Sequence, residues 1–243
     1  MAGSRYYRLS SIAECGQCVA VANDYGDLLL RPDGSFAFAD FRSGYAEGRW
    51  RDSAAAVVLS PNGSQTLLAA PLAGDTLTLT LGSYGDIAAP AAGTAGAIFR
   101  FVRGGVPASS MAGTRWVLRT VDGAAATAQG GFLIAADTSS GIRNVYRILY
   151  DTLTFTDPVF FRQARAVSDT ISSVGLPPST LSPGSPTRGA YTDRGSAVVL
   201  RYGSAYLYQT DSLLVSGSTL VHRFGYVVAG LERTFEERYE RLP

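Results

Sequence analysis

The residues best equipped for chemistry in this chain are two cysteines and one histidine. Cys15–Gly16–Gln17–Cys18 has a spacing that serves a redox dithiol, half of a zinc site or a plain local disulfide. A thioredoxin-type dithiol belongs at a strand-to-helix junction, and no such pattern surrounds this one. Zinc needs two further Cys or His ligands, and His222 is the single remaining candidate. No histidine follows Cys18, so the motif is not a covalent haem site. The pair reads first as a structural disulfide or two free thiols, with redox and metal roles behind. No metal or cofactor is expected.

Any serine or cysteine hydrolase triad would have to run through His222, because such sites need a histidine base. No GxSxG elbow or comparable nucleophile motif accompanies it. His222 alternates with Leu220 and Phe224, which suggests a strand position and a satisfied or surface imidazole. The carboxylates Asp24, Asp27, Asp33, Asp52, Asp75, Asp86 and Asp193 fall in turn-like contexts, where aspartate bonds its own backbone. Asp52 and Asp193 occupy matching places in two similar segments, which favours a structural role. No phosphate-binding or dinucleotide glycine pattern is present. A non-enzymatic role is the expectation.

Composition narrows the classes further. Of 243 residues, 46% are apolar and 17% charged, so the chain is neither a disordered tail nor an electrostatic binder. A formal charge of +1 gives no footprint for nucleic acid. All 21 basic residues are arginine, a bias that a GC-rich genome explains and that also suits planar pairing with carboxylates. No stretch has the eighteen or so apolar residues of a membrane span. No secretory signal opens the chain, which points to the cytoplasm if Met1 is the native start.

Four landmarks recur in the same order and predict an internal duplication. Arg5–Tyr6–Tyr7 is echoed by Arg115–Trp116–Val117. Gly48 through Trp50 and Asp52 to Leu59 is echoed by Gly189 through Tyr191 and Asp193 to Leu200. Gly74–Asp75–Thr76–Leu77 matches Gly217–Ser218–Thr219–Leu220, and Arg100–Phe101–Val102–Arg103 matches Arg238–Tyr239–Glu240–Arg241. Within each copy the apolar period is two, as in Leu77, Leu79 and Leu81, or Phe36 and Phe38. Asn62–Gly63 and Asp122–Gly123 mark turns. The fold class that follows is all-β: two tandem small antiparallel up-and-down barrels, over 1–105 and 113–243, joined by a linker at 106–112. Leu231, Phe235, Tyr239 and Leu242 also fit a helix face, but the match between copies favours a closing strand. Superposition should place Gly48 on Gly189 and Leu59 on Leu200.

The second copy carries roughly thirty extra residues before Gly189, too many for an ordinary connection. Much of the excess is assigned to a Pro-rich insertion at 166–188, which proline bars from being a central strand. This segment is expected to be a long loop lying against another protein subunit, through Arg162, Arg165, Val174, Leu176, Leu181 and Arg188. Aromatics supply a second docking feature, since Val159–Phe160–Phe161 and Tyr206–Leu207–Tyr208 put bulky groups on both faces of a strand.

Trp116 at the start of its unit, near Gly113, followed by Gly-x-Trp/Tyr and Gly-x-Thr-Leu strands, resembles the lipocalin-like barrels of bacterial envelope proteins; Tyr6 stands at the corresponding place in the first copy. In its lysine-free, Arg/Ala/Gly-rich tandem build the chain also resembles the membrane-extrinsic RC-S-type subunits of double-ring type 2 photosystems. That resemblance implies a non-catalytic assembly subunit without pigment or redox centre. It would stabilise a reaction centre–light-harvesting complex by contacting reaction-centre and antenna polypeptides. Its place would be a membrane surface, on the periplasmic face if it follows the envelope barrels. The alternative is a soluble lipocalin-like barrel holding a small apolar ligand.

Overall fold

The computed structural model describes residues 3–14, 17–20, 26–41, 44–64, 67–82, 96–127, 132–137, 142–173, 176–180, 186–203, 209–228 and 231–243. Every regular element among them is a β-strand. The first half contains β1 (Arg5–Glu14), β2 (Gln17–Ala20), β3 (Gly26–Leu30), β4 (Ser35–Asp40), β5 (Gly44–Ser53), β6 (Ala56–Pro61), β7 (Leu68–Ala73), β8 (Thr76–Leu81) and β9 (Ala97–Gly104). From β3 onward each strand pairs antiparallel with the next, and β9 returns to β1 with Leu9 facing Phe101. The second half contains β10 (Arg115–Val121), β11 (Ala124–Ala125), β12 (Phe132–Asp137), β13 (Ile142–Phe155), β14 (Phe160–Ser173) and β15 (Leu176–Thr180). It continues through β16 (Thr187–Asp193), β17 (Ala197–Tyr202), β18 (Gln209–Ser216), β19 (Thr219–Val228) and β20 (Leu231–Arg241). Here β10 closes the sheet by pairing with both β13 and β20. The chain is two closed eight-stranded antiparallel barrels in tandem, and its C-terminal segment is a strand rather than a helix. Closure removes the open edges that a meander of this length would expose.

The copies repeat each other rung by rung. Gly48 faces Pro61 and Trp50 faces Leu59 in one barrel; Gly189 faces Tyr202 and Tyr191 faces Leu200 in the other. Both glycines lie under a neighbouring backbone. A Cβ at Gly48 would stand 2.1 Å from the Ser60 carbonyl oxygen, and one at Gly189 would stand 2.0 Å from that of Arg201. The hairpin glycines Gly74 and Gly217 share a left-handed φ, 59° and 58°. Even the irregularities repeat, since β1 slips against β9 after Leu9 and β10 slips against β20 after Leu118. One equivalence differs from the sequence reading. Tyr7 faces Leu28 as Trp116 faces Leu153, so Tyr7 rather than Tyr6 occupies the Trp116 place. Side chains alternate across a strand, so a one-residue slip moves the ring to the opposite face.

The additional residues of the second copy do not form one loop. Leu30 faces Phe36 and Phe155 faces Phe161 in matching hairpins, and Phe36 faces Gly48 as Phe161 faces Gly189. The excess therefore divides into two equal portions, one before the end of β13 and one after the start of β14. They lengthen these two strands and flank them with β12 and β15, giving a four-stranded extension of the barrel wall. The loop expectation for 166–188 is thus corrected: β14 runs on to Ser173, and Leu176–Thr180 pairs with it as β15. Among the described residues β15 pairs with β14 alone, a position that tolerates Pro177 and Pro178.

Each barrel is filled by its own side chains. In the first, Leu28, Phe36, Phe38, Leu59, Leu79, Phe99 and Phe101 form a continuous buried cluster. Phe38 and Phe101 meet edge-on with ring centroids 5.7 Å apart, a favoured aromatic arrangement. In the second, Trp116, Phe155, Phe161, Tyr191, Leu200 and Leu220 play this part. The linker is not loose. Met111 is buried in the second core, and Asp193 Oδ2 accepts hydrogen bonds from the Ser110 backbone N–H at 2.8 Å and from the Ser109 hydroxyl at 3.1 Å.

Candidate functional site: a charged barrel interior and the face between barrels

Two arrangements stand out from this scaffold, and the first lies inside the second barrel. Strands β13, β14, β18, β19 and β20 aim Asp151, Gln163, Arg165, Asp211, His222, Glu237 and Tyr239 inward. Arg165 Nε donates to Asp151 Oδ2 at 2.6 Å, and Arg165 Nη2 donates to Glu237 Oε1 at 2.7 Å. The Tyr239 hydroxyl donates to Asp151 Oδ2 at 2.9 Å and accepts from Arg165 Nη2 at 2.9 Å. Gln163 Nε2 contacts both Asp151 oxygens at 3.1 Å. His222 lies between two acids, Nδ1 at 3.1 Å from Glu237 Oε2 and Nε2 at 3.7 Å from Asp211 Oδ1. Tyr202 donates to Asp211. Asp151 and Glu237 are sealed, whereas the Arg165 and Asp211 side chains keep 28% and 29% exposure, so one side of the cluster reaches solvent.

Burial and pairing compete at each group. Burial would lower the His222 imidazole, but its bonds to Asp211 and Glu237 raise it to about 9. Burial pushes Glu237 and Asp211 up, yet His222 and Arg165 hold both carboxyls below their ordinary range. Asp151 rises because burial outweighs the Arg165 charge, and burial likewise raises the Tyr239 phenol. His222 is consequently an imidazolium near neutrality and is poorly suited to accept a proton as a general base. Among the described residues, no group of His, Cys and carboxylates is arranged to hold a metal ion.

Among the described residues, the first barrel replaces most of this cluster with apolar side chains, and buried Asp40 takes the rung of Arg165, opposite Gly26 where Arg165 stands opposite Asp151. Leu79 faces Phe99 where His222 faces Glu237. Leu59 faces Leu68 where Leu200 faces Asp211, and Leu28 faces Phe38 where Leu153 faces Gln163. Leu68, Leu79, Phe99 and Phe38 are all buried in the first core. Sequence reading placed His222 on a strand, where it lies, as a satisfied or surface imidazole. It missed the acids around it: Asp211 and Glu237 come from the two strands that flank His222, whose pairing has to be known first, and Asp151 comes from far earlier in the chain. The usable signal was in the duplication itself: aligning the copies sets charges against apolar residues.

The second arrangement joins the barrels. Leu29, Ala37 and Ala39 face outward from β3 and β4, yet are buried against Val159, Phe160 and Ala190 of the second barrel, with Tyr6 at their side. The Tyr45 and Phe160 rings meet edge-on at 5.9 Å. Arg31 pairs with buried Asp157, whose Oδ1 accepts the Val159 and Phe160 backbone N–H groups at 2.8 Å. Arg188 Nη1 reaches Glu47 Oε1 at 2.5 Å and its guanidinium stacks over Tyr45 at 5.6 Å. Tyr6 donates at 2.5 Å to Asp27, whose carboxyl burial raises. Of the Val159–Phe160–Phe161 run, Val159 and Phe160 are buried against the sister barrel and Phe161 lies in the core of its own.

The remaining sequence-derived residues do not converge on one patch. Arg162 is exposed on β14. Arg165 belongs to the interior cluster and Arg188 to the inter-barrel face. Leu176 opens β15; Val174, Leu181, Tyr206, Tyr208 and Cys15 lie outside the described residues, and Cys18 pairs with Ala13 across β1 and β2. Asp52, unlike Asp193, pairs with Arg5 at 2.5 Å, so the two aspartates hold different partners.

No known protein family matches the sequence, and no curated protein matches it. A crystal structure from Bacteroides fragilis, described as a "putative outer membrane protein", is similar at 11% identity and a TM-score of 0.25, over 99% of this chain and 97% of that one.

Proposed function

We propose that the chain is a non-catalytic, membrane-extrinsic assembly subunit that docks on a reaction centre–light-harvesting complex through the outer surface of a rigid double barrel. The observation that carries this reading is the filled interior of the first barrel, fused to the second by a buried apolar face. A barrel occupied by its own side chains offers partners its outside, which supports docking over enclosure of a small apolar ligand. Apolar residues point inward while Thr78, Thr80 and Arg100 point away from the core, the reverse of a barrel that spans lipid. No helix among the described residues is long and apolar enough to cross a membrane. Attachment would run through partner subunits on the periplasmic face. The cationic state of His222 and the mutual pairing of the interior acids support a role without turnover.

The test is affinity capture of the full chain from native photosynthetic membranes in mild detergent. Co-purification of reaction-centre and antenna polypeptides at constant stoichiometry is the expected result. Recovery of the chain alone, under conditions that keep the reaction centre and its antenna together, rejects the reading.

A further inference from the structure

The interior charges of the second barrel solve a problem that the duplication creates. Both barrels close with the same ladder: β9 on β1 and β8, β20 on β10 and β19, with the same hairpin turn and the same slip. Backbone hydrogen bonding cannot tell β9 from β20, so either strand could complete either barrel, in the same chain or in a second copy. Exchange of equivalent elements is a characteristic failure of tandem repeats. Side chains must make the distinction, and the inward rungs differ sharply. Phe99 meets Leu79 in the first barrel, while Glu237 meets His222 in the second.

We propose that the buried charge cluster is a strand-sorting device, which keeps β20 out of the first barrel and β9 out of the second. In the first barrel, Glu237 would take the place of Phe99 opposite Leu79, with buried Asp40 instead of a cation at the rung of Arg165 among the described residues. In the second, Phe99 would take Glu237 from His222 and Arg165 and leave each with one of its two acids, Asp211 and Asp151. One exchanged state buries a carboxylate with no cation opposite it and the other strips two cations of a shared acid, and both are disfavoured. In the native second barrel the acids, His222 and Arg165 satisfy one another. Complete mutual pairing, with no polar group aimed at empty space, is what a sorting element requires and what a ligand site does not need.

A cross-strand disulfide reads the exchange directly. In the first barrel Thr78 faces Arg100, and Arg238 is the counterpart of Arg100. With Cys15→Ser and Cys18→Ser, the changes Thr78→Cys and Arg238→Cys create a pair that meets only if β20 enters the first barrel. After unfolding and oxidative refolding, the parent interior should give at most a trace of this bond. Adding His222→Leu and Glu237→Phe, the first barrel's own residues, should make it a major species, within monomers or as covalent dimers. A folded variant with only a trace of the bond overturns the proposal. Should that variant not fold, a chain with segments 97–104 and 235–242 traded decides. The proposal requires it to cross-pair or to fail to fold, and independent local folding of both barrels rejects it.

Discussion

His222 is the residue whose surroundings differ most from what its sequence neighbours suggest. It stands between Asp211 and Glu237 as a half-buried cation, with its ring raised to about 9. In an unfolded chain the same ring titrates near 6.5. The favourable contribution of His222 is thus complete below the unfolded value and is lost as pH rises through about 9. It amounts to about 3 kcal/mol at most. Glu237 and Asp211 are depressed, so their contribution is present above the unfolded carboxylate range and is lost on acidification. Stability of the second barrel should form a plateau near neutrality with a fall on each side. As the sole histidine, His222 gives an unambiguous ring signal in proton NMR. A midpoint near 9 is expected, and one near 6.5 would show the ring unpaired. His222→Gln should remove the alkaline fall while leaving the acid one.

The hairpins that carry the duplication depend on two glycines at the closest backbone approach. Gly48→Ala and Gly189→Ala each place a methyl against a carbonyl that cannot retreat without breaking its rung. Each should lose about 2–4 kcal/mol in denaturant unfolding, because overpacking in a buried site is among the few large single-site effects. Losses of similar size at both would follow from their equivalence; a tolerated change at one would show that the rungs have diverged. These elements were legible from sequence because turn glycines and period-two leucines are local signals. The β12–β15 extension was not. Prolines at 177 and 178 read locally as a loop, while the pairing that makes them an edge strand involves β14, whose own partner β13 lies before it. The charge cluster escaped for a related reason, as its members meet only across the closed barrel. The double burial of β3 did leave a trace. Leu28, Leu29 and Leu30 run without alternation, the pattern of a strand covered on both faces.

At the scale of the whole molecule, the buried face between the barrels makes them one cooperative body. Trp50 reports on the first and Trp116 on the second, so Trp50→Phe and Trp116→Phe chains read each barrel separately. Their unfolding midpoints in urea should coincide, and two well-separated transitions would show independent domains. Asp157→Ala strands Arg31 and two backbone N–H groups, and should lower stability by about 3–5 kcal/mol, the range for a broken buried pair. Arg188→Ala removes a half-exposed pair and should cost less than about 1 kcal/mol. The same face has a consequence for how the chain is made. The first barrel leaves the ribosome complete but with Leu29, Ala37 and Ala39 bare. The residues that cover them, Val159, Phe160 and Ala190, are not yet synthesised. At roughly 5–20 residues per second, the newborn half spends about 5–20 seconds as a sticky intermediate before Ala190 emerges. Slower translation across that stretch lengthens the time for which this face stays bare.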